Sequence, residues 1–356
     1  MYPVFLLTLS GCWSNYWWKG ADEMNTLDPS DVPYQVDGLT ATDAVVTGFT
    51  STLTCPDGEA ASFFAVYREG LSNAPVALVF HSGAFDYVLD PDSDQPLAGD
   101  HYYVDSRLER SWSVNKIWET LGMIYPRTVD AGELNLGTLP AALTDAGVVQ
   151  IYPGNCWGDL WHNASNVAEN ESQDGFAREG RNLALDMVDM LFSADAAADQ
   201  GFTLPVTLDN NSLYLVGLGE GGRAVTELLL SNALPPVDGA LLDSSPDDLS
   251  AYVNAADAYP EEIEGLARIF GDDGLDDLGQ WSTLNVPEND LPQNLGFIWS
   301  SQDTRLPVGA GQGTAAALEA SGAWVYDTGR AEHVSLNGDI ELATAAVDYM
   351  LTGQVP

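Results

Sequence analysis

From residue 45 onward the apolar positions of this 356-residue chain fall into short runs with two different periods. Residues 46–54 and 62–67 alternate apolar with polar, the pattern of half-buried strands, and their closeness predicts an antiparallel pair. Residues 76–80 are apolar without a break, which marks a strand covered on both faces. Residues 106–121 change to helical spacing, with Leu108, Trp112, Ile117 and Leu121 on one face. Further along, strands are predicted at 148–152, 212–216, 237–242, 297–300 and 323–326. Helices are predicted at 177–192, 223–230, 313–320 and 340–351. Strand and helix thus alternate from residue 76 to the end. That order predicts an α/β fold, a mostly parallel sheet with helices on both faces. One stretch breaks the rhythm. Residues 247–291 are long and acidic, with a helical patch at 261–270, and read as a lid-like insertion or an ordinary surface excursion.

The chain before this region is organised differently. Residues 1–11 carry no charge and include an apolar run too short to span a bilayer. They end in Leu9-Ser10-Gly11-Cys12, small residues that suit a signal peptidase, so 1–11 reads as an export signal. The segment resembles the bacterial lipobox, which implies that Cys12 is the lipidated N-terminus and that a lipid anchor holds the protein at the membrane of the cell envelope. Residues 12–44, rich in Asp, Pro and Asn, read as a tether, and 45–356 as one domain. Without Cys12 two cysteines remain, Cys55 and Cys156, either a disulfide in an oxidising compartment or two separate thiols.

Charge narrows the partners. Twelve basic residues stand against 53 acidic ones, a net charge of −41, and only Lys19 and Lys116 are lysines. Such a surface repels phosphate backbones, which argues against nucleic-acid binding, and it reads as a solubility or salt-tolerance adaptation. Asp90, Asp92 and Asp94 alternate as in a calcium loop, but Gln95 stands where the turn needs glycine and His101 where a bidentate Glu belongs. Calcium is therefore a weak expectation, and no other cofactor is expected. The sequence carries no sign of oligomeric state.

The densest chemistry lies in Leu213-Tyr-Leu-Val-Gly217-Leu-Gly219-Glu220-Gly221-Gly222-Arg223, a strand, a glycine turn and a helix start. It admits two readings. As Gly217-x-Gly219-x-x-Gly222 it is a dinucleotide fingerprint, and Asp243 lies 21 residues past the last glycine, close to the place of a ribose-binding acid. As Gly217-x-Gly219-x-Gly221 it is a nucleophile elbow whose central residue has no side chain. Three further pieces favour the elbow. His81-Ser82-Gly83-Ala84-Phe85 follows an early strand, Asp303 follows the strand near Phe297, and His333 follows the strand near Tyr326.

Here the chain resembles the α/β-hydrolase family in its esterase and lipase branch, over about residues 45–352. The resemblance implies that Asp303 orients His333, and that Gly83 or Ala84 with Glu220 supplies the oxyanion donors. Trp157, Trp161 and His162, with His81, Ser82 and Ser245, are candidates for the pocket wall. Gly219 leaves nothing for an imidazole to deprotonate, so the expectation is an impaired, ligand-binding or structural relative of esterases. The alternatives are an active hydrolase with a displaced nucleophile or a Glu/His-activated water, and a protein that binds an NAD-type dinucleotide.

Overall fold

The computed structural model describes residues 33–34, 44–54, 60–80, 138–153, 188–189, 191–192, 204–219, 221–231, 234–245, 247, 250–251, 254–255, 282–286, 291–303, 306, 308–330, 335–337 and 339–356. Among the described residues nine strands form a single sheet. They are β1 (Pro33–Tyr34), β2 (Ala44–Thr54), β3 (Ala60–Arg68), β4 (Ala74–Phe80), β5 (Val149–Pro153), β6 (Leu208–Leu218), β7 (Val237–Asp243), β8 (Asn294–Trp299) and β9 (Trp324–Asp327). Their spatial order is β1-β2-β3-β5-β4-β6-β7-β8-β9. β1, β2 and β3 pair antiparallel, β3 meets β5 antiparallel, and every later pairing is parallel.

The strand pattern explains the layering. Alternate residues of a strand face opposite sides, so the unbroken apolar run of β4 feeds two cores at once. Val76, Leu78 and Phe80 pack with Ala224, Val225 and Leu228 of helix α2 (Gly221–Leu230) and with Leu318 of α3 (Val308–Ala320). Ala77 and Val79 join Leu139 and Leu143 of α1 (Thr138–Asp145) and Ala346, Val347 and Met350 of α4 (Ile340–Thr352). α2 and α3 thus cover one face, and α1 and α4 the other. α4 is the best delimited helix. Asp339 caps its start by accepting the Leu342 N–H at 3.0 Å, and Gly353 (φ +70°) ends it in the left-handed conformation.

The predicted antiparallel pair is β2 and β3, and the predicted strands from residue 76 onward are β4 to β9 with ends shifted by a few residues. Two elements were not expected. β1 pairs with the start of β2, through Pro33 opposite Val45 and Tyr34 opposite Ala44, within the stretch read as a tether. α1 is short and carries Pro140, so its pattern is weak, yet Leu139 and Leu143 are fully buried. α3 starts five residues before the predicted helix. Three glycines (Gly309, Gly311, Gly313) hid that start; at Gly311 a Cβ would lie 3.0 Å from the Trp299 ring, so helix and strand meet closely there. The predicted helix at 106–121 and the patch at 261–270 lie outside the described residues. Of 177–192 only residues 188–189 and 191–192 are described; both pairs are helical.

Candidate functional site at the carboxyl ends of the strands

Parallel strands end together, so β6, β7, β8 and β9 deliver their following loops to one edge of the sheet. β6 ends in the glycine turn. Gly219 has φ +53°, a left-handed conformation that side-chain-bearing residues adopt only under strain. Its carbonyl accepts the Gly222 N–H at 3.0 Å, closing the turn into α2, and its own N–H donates to the Asp243 carbonyl at 2.7 Å.

The neighbouring glycines do a different job. A Cβ on Gly217 would lie 2.3 Å from the Gly222 Cα, and one on Gly222 would lie 2.0 Å from the Ser245 hydroxyl. Gly217 and Gly222 therefore let β6, α2 and the end of β7 touch, while Gly219 alone occupies the turn's strained position. This division fits an elbow, where small residues flank the nucleophile so that the chain can bend sharply.

β7 ends in Asp243-Ser244-Ser245, all buried. Ser244 has φ +53°, one of two positive-φ residues other than glycine among those described. Its N–H donates to the Ile298 carbonyl at 2.8 Å, and its hydroxyl to Asp243 Oδ1 at 3.2 Å. Asp243 Oδ2 accepts the Leu336 N–H at 2.8 Å. This overturns the ribose role that the dinucleotide reading gives Asp243: the carboxylate is fully buried and is tied to the chain itself. The glycine turn also follows the sixth strand rather than opening a nucleotide-binding half. Ser245, a candidate for the pocket wall, packs against Gly222, and its buried hydroxyl has no hydrogen-bond partner among the described residues.

β8 leads to Asp303, which is buried. Its Oδ1 accepts the Leu306 N–H at 3.0 Å, and its N–H donates to the Ser300 carbonyl at 3.2 Å. The Ser300 hydroxyl donates to the Arg330 carbonyl, and Asp327 Oδ1 accepts the N–H groups of Ser301 (3.0 Å) and Gly329 (2.9 Å). Burial alone would raise the Asp327 carboxyl, but these N–H donors outweigh it and hold it below the usual range. The loop carrying Asp303 is thus bound to the loop leaving β9.

Past residue 334 the chain is pinned again. The Leu336 N–H reaches Asp243, the Leu336 carbonyl accepts the Thr138 hydroxyl at 2.5 Å, and Arg330 pairs with Asp339 at 2.5 Å. Arg330, before 331–334, is thus held at the end of β8, and Leu336, after it, at the end of β7. His333 itself lies outside the described residues, as do Glu220, His81, Ser82, Gly83, Ala84, Trp157, Trp161, His162, Cys12, Cys55, Cys156 and the acids Asp90, Asp92 and Asp94.

One polar cluster escaped the sequence reading. Asp247 is buried, and its carboxylate accepts four hydrogen bonds. Thr226 of α2 (2.9 Å) and the Thr283 N–H (3.0 Å) reach Oδ1, while Ser282 (3.1 Å) and the Thr283 hydroxyl (2.6 Å) reach Oδ2. Burial pushes this carboxyl above its ordinary value, against the pull of the four donors. No spacing in the sequence signals a cage whose donors lie 21 residues before it and 36 after.

No protein-family model matches the chain, and no curated protein matches it in sequence. Solved structures do. A mutant of the esterase rPPE is similar with a TM-score of 0.51 at 13% identity, over 89% of this chain and 86% of that one. Pyrococcus horikoshii acylaminoacyl peptidase is similar with a TM-score of 0.50 at 13% identity, over 86% of this chain but 40% of the peptidase. Together with the strand order and the turn at Gly219, these likenesses define the class: the chain has the α/β-hydrolase fold, as esterases do. At such identities they carry the fold alone.

Proposed function

We propose that this protein is exported, lipid-anchored through Cys12, and binds an ester-like or carboxylate-bearing small molecule at the carboxyl ends of β6–β9 without hydrolysing it by a serine mechanism. The observation that carries this reading is Gly219. It occupies the turn between β6 and α2 at φ +53°, where a hydrolase holds its nucleophile, and it presents no hydroxyl. Asp303, buried on the loop after β8, keeps the place of the orienting acid. In this reading it supports His333, and the chain on either side is anchored at Arg330 to Ser300 and at Leu336 to Asp243. The surrounding backbone then forms a binding site whose chemistry has lost its first step.

The test is direct. The full chain should resist labelling by a fluorophosphonate probe and leave p-nitrophenyl esters intact, while Gly219→Ser should be labelled at the new serine and gain measurable turnover. The new side chain must adopt the positive φ, at a cost of about 1–3 kcal/mol, which a domain of this size can bear. Labelling of the unaltered protein at Ser82, Ser244 or Ser245 would instead make it an active hydrolase with a displaced nucleophile. For the anchor, mass spectrometry of the mature N-terminus should find a lipid-modified Cys12; an unmodified Met1 refutes it.

A further inference from the structure

We infer that Asp243 is the positioning residue of this site, its backbone carbonyl holding the Gly219 turn and its carboxylate holding the chain beyond residue 334 in one arrangement; this rests on the reading of the site given above. The residue is fully buried at the end of β7, between the strands that carry the turn and Asp303. Its backbone carbonyl receives the Gly219 N–H at 2.7 Å. Its Oδ2 receives the Leu336 N–H at 2.8 Å, and its Oδ1 the Ser244 hydroxyl at 3.2 Å.

The last contact links the other two. Ser244 holds a strained φ of +53°, and the peptide joining it to Asp243 carries the carbonyl aimed at Gly219. The carboxylate therefore braces the backbone that fixes the turn while gripping Leu336 with its other oxygen. Asp243 touches no reacting atom in this account; it acts through Gly219 and Leu336.

Hydrogen exchange of the full chain, read by mass spectrometry in peptides spanning Gly219 and Leu336, tests this without any ligand. Asp243→Ala should speed exchange about tenfold or more in both peptides together. Asp243→Asn should stay within about threefold of the unaltered protein, because its amide oxygen accepts from Leu336 and the Ser244 hydroxyl can accept from its NH2. Thr138→Val, which frees Leu336 from the opposite side, should affect the Leu336 peptide alone. Asp209→Asn, in the early part of β6, should affect neither. If Asp243→Ala unfolds the chain, the Asn and Thr138 variants decide.

The inference is overturned if Asp243→Ala moves only one peptide or neither, if Asn behaves like Ala, or if Thr138→Val loosens both. In the Gly219→Ser background, Asp243→Ala should lower kcat about tenfold with little change in KM, and Asn should spare it. A loss of kcat in the Asn variant would show that the charge itself acts, against a positioning role. Should Gly219→Ser stay inactive, the reading of the site fails while the exchange experiment still judges Asp243.

Discussion

Glycine at 217, 219 and 222 looks alike in sequence, yet the three positions answer to different physics. A Cβ at 217 would meet the backbone of Gly222 at 2.3 Å, and backbone cannot swing aside. Gly217→Ala should therefore cost about 3 kcal/mol or more, seen as a lower urea midpoint. Gly313 is the counter-case. It sits exposed inside α3 with nothing within 4 Å of an added Cβ, so Gly313→Ala should raise the midpoint by about 0.5–1 kcal/mol, the helix-propensity gain. A loss at 313 as large as at 217 would show that glycine spacing, not close approach, governs both. These differences explain what the motif could and could not tell. The order of the strands, with the glycine turn after β6 and Asp303 after β8, was legible, because strand ends follow from periodicity, whereas His333 lies outside the described residues. The roles of the individual glycines were not, since spacing alone equally suited a pyrophosphate loop, and Asp243 matched the ribose position until its burial removed it.

At the scale of elements, strands were easier to read than their connections. β4 and β7 declare themselves through apolar runs, whereas α1 and the start of α3 rely on packing against Leu336 and Trp299 that no local pattern encodes. The Asp247 cage is the extreme case, since it joins α2, the residue opening the 247–291 stretch and the short turn Thr283–Asn285 near its end. Three of its four donors are hydroxyls, which can reverse and accept, so the cage suits a protonated as well as an ionised carboxyl. Because burial raises the folded-state value, the native chain binds this proton more tightly than the unfolded chain does. The group then favours folding most below the ordinary carboxylate value, and that contribution is lost as pH rises through the raised one. Asp247→Asn removes this titration, so its urea midpoint should gain on the unaltered protein as pH climbs through the same window. Asp247→Ala, which takes the acceptor from the Ser282 hydroxyl and both Thr283 donors while the Thr226 hydroxyl keeps the Gly222 carbonyl, should lose about 2 kcal/mol at low pH, a deficit that shrinks as pH climbs through the same window. An Asn variant that instead fell behind with rising pH would mean that the donors outweigh burial.

For the whole molecule the governing quantity is the charge of −41, and its consequence can be argued by size. Even if every basic residue were paired, 12 cations leave most of the 53 carboxylates facing one another through solvent. Such repulsion opposes compaction and is screened with a Debye length of about 10 Å at 0.1 M salt and about 3 Å at 1 M. Salt also weakens ion pairs such as Arg68–Asp145, an effect of opposite sign, but a half-exposed surface pair is worth at most about 1 kcal/mol. Repulsion should therefore win, and Tm should rise by about 5 °C between 0.01 M and 1 M NaCl. Screening depends on ionic strength alone, whereas burial is strengthened by sulfate through its exclusion from the protein surface. NaCl and Na2SO4 at matched ionic strength should thus raise Tm alike up to about 0.3 M, where charge effects dominate. If only sulfate stabilised, or if NaCl lowered Tm, the acidic surface would not be limiting folding, and the few ion pairs would matter more than their number suggests.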